Sequence, residues 1–205
     1  KKLNFKSVIK TPLGFNESTF YINEKTRKNI RLKNSISDST FVISYFGRVV
    51  HEKGVHLIVE ALKNLNFKNW IFLIDDFSGY RNDYFDKIYK SLKTYNILDK
   101  TIFFRANHTE IADYMNAADI SILASIKTKK WIEQYGRVVP EAMACGNRVL
   151  ISNKGAQTQF FPNDYPFKFS EVSELKNLIE VSYQDFKKDN IDKYEISDYS
   201  IKNFS

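Results

Sequence analysis

The sequence contains little cysteine and glycine, and its few histidines are scattered. Cys145 is its only cysteine, which excludes an internal disulfide. The seven glycines form neither a G-x-G-x-x-G nor a G-x-x-x-x-G-K-[ST] pattern, so a dinucleotide site or a P-loop loses its main support. His51, His56 and His108 are not at zinc spacing and have no acidic cluster beside them, so we expect no metal site.

Long apolar runs are also missing. No run approaches the ~18 residues that a membrane-spanning helix needs. The N-terminal stretch KKLNFKSVIK is basic but has no apolar core, so we expect no signal peptide and a cytoplasmic protein. Hydrophobic residues make up 43% of the chain and charged residues 27%, a composition typical of a folded domain rather than a disordered one.

The charge is positive and uneven. The formal net charge is +7, and residues 1–33 hold nine Lys or Arg against two acids. A second basic stretch, KTKK at 127–130, either faces a lipid-linked acceptor or membrane phosphates at the inner face of a membrane, or is a solvated loop. Nucleic-acid modules usually carry a recognisable motif, and none is found, so nucleic-acid binding is the less favoured alternative.

From residue 41 onward, strand-like and helix-like segments alternate. The segments FVISYFG, WIFLI, TIFF, DISILAS and RVLIS predict short buried strands, and PFKF predicts a further one. Amphipathic segments between them predict helices, including one over 81–95 with Tyr89 on its apolar face and one over 108–118 with Thr109 as its N-cap. This pattern predicts an α/β fold, a doubly wound, Rossmann-like parallel sheet that binds ligands at the carboxyl ends of its strands.

The stretch EQYGRVVPEAMACG, residues 133–146, places two carboxylates around a helix start. Pro140 is tolerated only in the first turn, so the helix starts between Gly136 and Pro140. The free N–H groups of residues 135–139 then form an anion site, and Glu133 and Glu141 could accept hydrogen bonds from sugar hydroxyls. Alternatively, Glu133 caps the helix and Glu141 complements its dipole. The spacing leaves both interpretations open.

Four segments together resemble a known family. EQYGRVVPEAMACGNRVLIS resembles the Glu, seven residues, Glu motif of retaining nucleotide-sugar glycosyltransferases of the two-lobed GT-B fold, in particular glycosyltransferase family four, group 1. YFGRVVHEKGVHLIVEAL is similar to the Gly-Arg and Lys-Gly segment of the second lobe in that family. IADYMNAADISILAS and TPLGFNESTF resemble two further segments, and the four occur in the family's order across most of residues 11–170.

The resemblance implies a role for each matched residue. Arg48 and Lys53 would bind the donor diphosphate and stabilise the leaving group, and Glu133 would accept hydrogen bonds from the donor sugar. Glu141 would hold the ribose hydroxyls. The remaining donor-binding positions would be Gly47, Arg105, Tyr135, Gly136, Arg137 and Val138. The donor would be a UDP-, GDP- or ADP-sugar, transferred with retention and without a cofactor, a metal or a protein nucleophile.

Three positions depart from the family pattern. The second strand runs into DDFSG, so Asp75 and Asp76 either bring acid near the nucleotide or point away. Arg105 stands where a glycine near the base is common, and could stack on the base, reach a phosphate or lie on the surface. Gln159 replaces a frequent glutamate. These departures bear on which nucleotide is bound.

The resemblance also implies a domain organisation. We expect an interlobe segment and loop over residues 1–40, a nucleotide-sugar-binding Rossmann-like domain over 41–190, and the start of the returning C-terminal segment over 191–205. The acceptor, a sugar or lipid-linked sugar of polysaccharide or glycoconjugate biosynthesis, would bind a missing N-terminal lobe, so the chain would be an isolated donor lobe. A non-catalytic nucleotide-sugar-binding module is the alternative.

Overall fold

The structure, a computed structural model, describes residues 13–76 and 81–205. The first part of the predicted interlobe segment and the turn of DDFSG from residue 77 lie outside the described residues.

The described residues form one six-stranded sheet flanked by helices. Its strands are β1 Phe41–Tyr45, β2 Trp70–Asp75, β3 Thr101–Phe104, β4 Ile120–Leu123, β5 Arg148–Ser152 and β6 Lys168–Phe169. The spatial order is β3-β2-β1-β4-β5-β6, and every neighbouring pair is parallel. The predicted doubly wound parallel sheet is confirmed.

Helices cover both faces of the sheet. They are α1 Glu24–Lys33, α2 Val55–Leu62, α3 Asp83–Thr94, α4 Ile111–Ala117, α5 Val138–Ala144, α6 Val172–Lys187 and α7 Lys193–Phe204. Strand β1 is buried along its whole length, and its side chains alternate between two cores. Ile43 and Tyr45 pack on the side of α2, α3 and α6, whereas Val42 packs on the side of α4, α5 and α7.

Two details of the predicted helices are wrong. Tyr89 of α3 is exposed, because the core-facing stripe of this helix is limited to Phe85, Ile88 and Leu92. Thr109 does not cap α4: the side chain of Asn107 accepts from the N–H groups of Thr109 and Glu110, and the helix follows that turn.

Helix α1 lies within residues 1–40, where the sequence shows no sustained periodicity. Asn23 caps it by accepting from the N–H of Thr26. The helix is attached by charge: Arg27 and Arg31 donate to the two oxygens of the Asp119 carboxylate at 2.6 and 2.8 Å. This contact packs α1 beside α4 at the start of β4.

Helix α7 packs on α5. The hydroxyl of Ser197 donates to the carbonyl of Ala144, and that of Ser200 to the carbonyl of Pro140, each at 2.7 Å. Helix α7 therefore holds α5, the helix that follows Glu133 in the chain.

The topology determines where a ligand would bind. The chain moves outward from β1 to β2 and β3, and then crosses to the other side of β1 to form β4. The topological switch point thus lies between β1 and β4, and the crevice at their carboxyl ends is the expected binding site in such a sheet.

Candidate donor-binding site

A cleft of about 350 Å³ lies at this switch point. Its walls come from the segment after β1 and the segment between β4 and α5. The lining includes most of the predicted site residues: Gly47, Arg48, Lys53, Glu133, Tyr135, Gly136, Arg137 and Val138. Arg105 and Glu141 are the two predicted residues that do not line it.

The segment after β1 supplies two cations. Gly47 adopts φ +130°, which favours glycine, and the exposed Arg48 follows it. The buried Tyr45 hydroxyl donates to the carbonyl of Arg48 at 2.7 Å and fixes this turn. Lys53 ends a short 3-10 turn, and Gly54 (φ +69°) then starts α2.

Glu133 is the centre of the cleft's polar contacts. The carboxylate is buried, and its Oε2 accepts from Lys53 Nζ at 2.6 Å and from Ser125 Oγ at 2.7 Å. Its backbone carbonyl accepts from the N–H of Ala156 at 2.9 Å. The segment after β4, the turn before α2 and the segment after β5 therefore all hold this residue.

Helix α5 starts within the predicted range, but not all of the backbone N–H groups predicted to be free are free. The helix begins at Val138 and has no side-chain cap, so the interpretation of Glu133 as a helix cap is wrong. Val139 donates its N–H to the carbonyl of Gly136 at 2.9 Å and is not free. Gly136 has φ +82°, and a Cβ there would lie 2.9 Å from Leu123 Cδ2, so this turn requires glycine.

The side chain of Tyr135 contacts two residues beside the cleft. Its hydroxyl donates to the carbonyl of Leu13 at 2.7 Å, and its ring packs edge-on against Phe160. The side chain of Tyr135 thus links the segment before α5 to Leu13.

Arg105 lies on another part of the carboxyl edge. Its Nε is 3.2 Å from Asp76 Oδ2, and its side chain is 63% exposed, whereas that of Asp76 is buried. The other oxygen of Asp76, Oδ1, is buried without a hydrogen-bond partner among the described residues. The contact with Arg105 therefore pairs only one of the two oxygens of Asp76.

Glu141 lies in the first turn of α5, outside the cleft. Burial raises its pKa from 4.5 to about 7, and the charge of Arg137 opposes this shift. Glu141 is thus poised to change charge near neutral pH.

Several residues of this region were not predicted from the sequence. Ser125 and Gln157 are buried behind Glu133, and the Trp131 ring lies 5.3 Å from Lys53 Nζ. The signal that could have found Ser125 is its position, since a polar residue ending the predicted strand DISILAS falls on the carboxyl edge. Gln159, which departs from the family pattern at the position of a frequent glutamate, is exposed.

A second cavity of similar size, about 340 Å³, lies near Arg148 and Phe167, at the amino ends of β5 and β6. Its lining is mostly aromatic and aliphatic, and it contains none of the predicted site residues. The cleft at the switch point is the better candidate, because it combines the expected edge of the sheet with converging charges.

Neither a membrane-spanning helix nor a metal-binding cluster is found in the described ranges. No helix there has the length and apolar character required to cross a membrane. No three His, Cys, Asp or Glu side chains there are grouped so that they could hold a metal ion.

Comparison with known proteins agrees with this fold. Residues 26–194 match the family "Glycosyl transferases group 1". The lipopolysaccharide 1,2-N-acetylglucosaminetransferase of Salmonella typhimurium is 27% identical over 167 residues, which cover 78% of this chain and 42% of that protein. The curated relatives that the chain matches are longer: it spans 37–42% of their lengths.

Solved structures share the fold. HepE from Anabaena in complex with UDP superposes with a TM-score of 0.80 at 21% identity, over 94% of this chain and 52% of that one. The C-terminal domain of the group 1 glycosyl transferase LpcC from Francisella tularensis has a TM-score of 0.75 at 21% identity, over 92% of this chain and 97% of that one. The fold is that of the C-terminal, Rossmann-like lobe of GT-B glycosyltransferases, and the chain belongs to the group 1 glycosyl transferases.

Proposed function

We propose that the chain is the donor-binding lobe of a retaining glycosyltransferase that transfers a hexosyl group from a nucleotide sugar to a glycan acceptor. Family four membership, a role in polysaccharide or glycoconjugate biosynthesis, and binding of the acceptor by a second, N-terminal lobe are parts of the same proposal. A non-catalytic module and a nucleic-acid-binding domain are not favoured, because most of the chain matches a catalytic family.

The observation that carries the proposal is the charge arrangement of the cleft. Arg48, Lys53 and Arg137 line it together with one carboxylate, that of Glu133. Three cations suit a diphosphate, whose negative charge grows as the glycosidic bond breaks, and positioned cations lower the energy of that step. A carboxylate among them suits a ligand that also carries hydroxyl groups.

The donor is proposed to be a nucleotide sugar with UDP as the first nucleotide to test. HepE, which shares the fold, has been solved with UDP and with UDP-glucose. Glu141 would accept from the ribose hydroxyls, and the pair of Arg105 and Asp76 marks the neighbouring edge where a base could lie. A GDP- or ADP-sugar would use the same phosphate and sugar contacts.

The acceptor side of the proposal rests on the turn beside the cleft. Lys127, Lys129 and Lys130 are exposed, and the Thr128 hydroxyl orders the turn by accepting from the N–H of Trp131 at 3.0 Å. Such a basic turn would favour an anionic, lipid-linked acceptor at the inner, cytoplasmic face of a membrane.

Binding measurements with two single substitutions test the donor assignment. Titration calorimetry with UDP and with UDP-glucose should give weaker binding of both ligands for Glu141→Gln, because ribose is present in both. Glu133→Gln should weaken UDP-glucose alone, because its proposed partners are sugar hydroxyls. The expected losses are about 1–3 kcal/mol, the size of a hydrogen bond to a charged group.

The control is Glu174→Gln, on the exposed first turn of α6, which should change neither affinity. Equal losses for both ligands in both Glu→Gln variants, Glu133→Gln and Glu141→Gln, would contradict the division of roles. In the two-lobed protein, the anomeric configuration of the product, read by NMR, decides between retention and inversion.

A further inference from the structure

Glu133 is held by a hydrogen-bond chain that runs behind the cleft. Ser125 Oγ donates to Glu133 Oε2 at 2.7 Å, and Ser125 is only 1% exposed. The Ser125 carbonyl in turn accepts from the Ser152 hydroxyl at 2.6 Å, and Ser152 Oγ accepts from Gln157 Nε2 at 3.0 Å. Each link is buried, so water cannot easily replace a lost donor.

The backbone is shaped to allow this contact. Gly155, at φ +93°, lies so close to Glu133 that a Cβ there would be 2.9 Å from both the Cβ and the carbonyl oxygen of Glu133. The next residue, Ala156, donates its N–H to that same carbonyl at 2.9 Å. The segment after β5 therefore packs directly on Glu133 and restricts its backbone as well as its side chain.

Lys53 and Ser125 share one oxygen of the carboxylate. Both donate to Oε2, at 2.6 and 2.7 Å, and Oε1 accepts from none of the described residues. A bound diphosphate would compete for the ammonium of Lys53, as the proposed function requires. Ser125 would then be the remaining side-chain donor that keeps Oε2 turned inward and Oε1 turned toward the sugar.

We propose that Ser125 is the positioning residue of the site: its backbone carbonyl is held by Ser152 and Gln157, and its hydroxyl fixes the Glu133 carboxylate so that Oε1 accepts from the donor sugar. This inference rests on the proposed function, since it assigns to Ser125 the selectivity for a sugar-bearing nucleotide over the bare diphosphate. It predicts that Ser125 acts through Glu133, without touching the ligand.

The first measurement compares the affinities for UDP and UDP-glucose in the 205-residue chain. Ser125→Ala should lower the affinity for UDP-glucose about three- to tenfold, the size of a typical net hydrogen bond, because the effect reaches the ligand only through Glu133; the affinity for UDP should stay unchanged. Ser125→Thr keeps the hydroxyl and should restore the preference. Ser121→Ala is the matched control, because Ser121 is a buried serine of β4 whose hydroxyl bonds Ser44 and Asn147. An unchanged preference in Ser125→Ala, or the same loss in Ser121→Ala, would overturn the inference.

The second measurement needs no ligand. The melting temperatures of Ser125→Ala, Glu133→Gln and the double variant form a cycle, and contact between the two side chains predicts that the two losses are less than additive. Additive losses would overturn the inference. If the wild-type chain binds neither UDP nor UDP-glucose, the donor assignment fails, and this cycle alone then supports or rejects the coupling of Ser125 to Glu133.

Discussion

The ammonium of Lys53 lies 2.6 Å from Oε2 of Glu133, within the cleft at the switch point of the sheet. The two residues are 80 positions apart in sequence, and both are largely buried. The resemblance assigned Lys53 to the diphosphate and Glu133 to the sugar, two ligand groups joined by a single bond. Their direct contact is what adjacent subsites of one donor would require.

Lys53→Ala should therefore have two effects. It should weaken UDP binding by about 1–3 kcal/mol, because a charge-assisted contact to phosphate is lost. It should also lower the melting temperature, since Glu133 keeps a buried charge with one fewer donor. Calorimetry and thermal unfolding measure these effects separately.

Arg48→Ala gives the comparison for phosphate binding. Arg48 lines the same cleft but is exposed, so UDP affinity should fall by a similar ~1–3 kcal/mol with little change in melting temperature. Uridine, which has no phosphate, should bind all three proteins alike. If both variants bound UDP like the wild type, the assignment of the phosphate site would be wrong.

Gly54 should tolerate no side chain. It adopts φ +69°, and a Cβ would lie 1.9 Å from the carbonyl oxygen of Ala124, a backbone atom that cannot swing away. The left-handed conformation alone costs a non-glycine residue about 1–2 kcal/mol, so we expect Gly54→Ala to lose more than this in chemical denaturation. Lys53 is next to Gly54 in the chain, and Ser125 is next to Ala124. A displacement at this contact should therefore move both residues and lower the affinity for UDP-glucose as well.

Gly14→Ala is the control for this substitution. The nearest atom to its added Cβ would be 3.4 Å away and its φ is ordinary, so the change should stay within about 0.5 kcal/mol. A Gly54→Ala protein as stable as Gly14→Ala would contradict the close approach of Gly54, just before α2, to Ala124, just after β4.

The ion pairs of Asp119 should account for the docking of α1. Arg31 is 1% exposed, and Asp119 supplies its carboxylate partner and also accepts from the N–H of Val42. Removing one member of a buried pair leaves an uncompensated charge, so Asp119→Ala should destabilise the fold by about 3–5 kcal/mol. Denaturant unfolding measures this loss.

The pair of Lys176 and Glu180 on α6, whose side chains are each 23% exposed, is the control. Its N–O distance is 3.0 Å, and Lys176→Ala, which removes only this contact, should cost below about 1 kcal/mol. Equal losses in the two variants would show that α1 is not held by Asp119.

The sheet and most of the cleft could be predicted from the sequence, because both depend on local patterns. Each major strand is a short apolar run, and the carboxyl-edge rule then brings Glu133 to Arg48 and Lys53, although Glu133 lies 80 positions after Lys53. The order of the strands needed the resemblance or the structure.

Two features could not be predicted, for different physical reasons. Helix α1 has no apolar stripe to detect: its buried residue is Arg31, and its anchor is an aspartate 88 positions away. The support of Glu133 by Ser125 depends on side-chain direction at the end of β4, and one serine in an apolar run carries no periodic signal. The position of Glu141 outside the cleft is likewise a matter of helix orientation, which the spacing of the two glutamates left open.

Glu141 should make stability depend on pH. Burial raises its pKa to about 7 in the folded chain from 4.5, so between these values the folded state binds more protons than the unfolded state. Stability must then fall as the pH rises through this window, and the loss is complete above about 7. At 1.36 kcal/mol per unit, and allowing for partial exposure, we expect a loss of about 1–3 kcal/mol between pH 5 and pH 8.

Glu141→Gln should remove most of this dependence and be more stable than the wild type at pH 8, whereas Glu17→Gln, at an exposed position, should keep the wild-type slope. Urea denaturation at pH 5, 6, 7 and 8 measures these slopes.

The titration of Glu141 also tests its proposed contact with the ribose. If ribose hydroxyls bind the ionised carboxylate, the affinity for UDP-glucose, whose phosphates do not titrate in this range, should rise from pH 6 to pH 8 in the wild type and stay flat in Glu141→Gln. A pH-dependent stability with a flat affinity would leave Glu141 as a buried helix residue and remove it from the donor site.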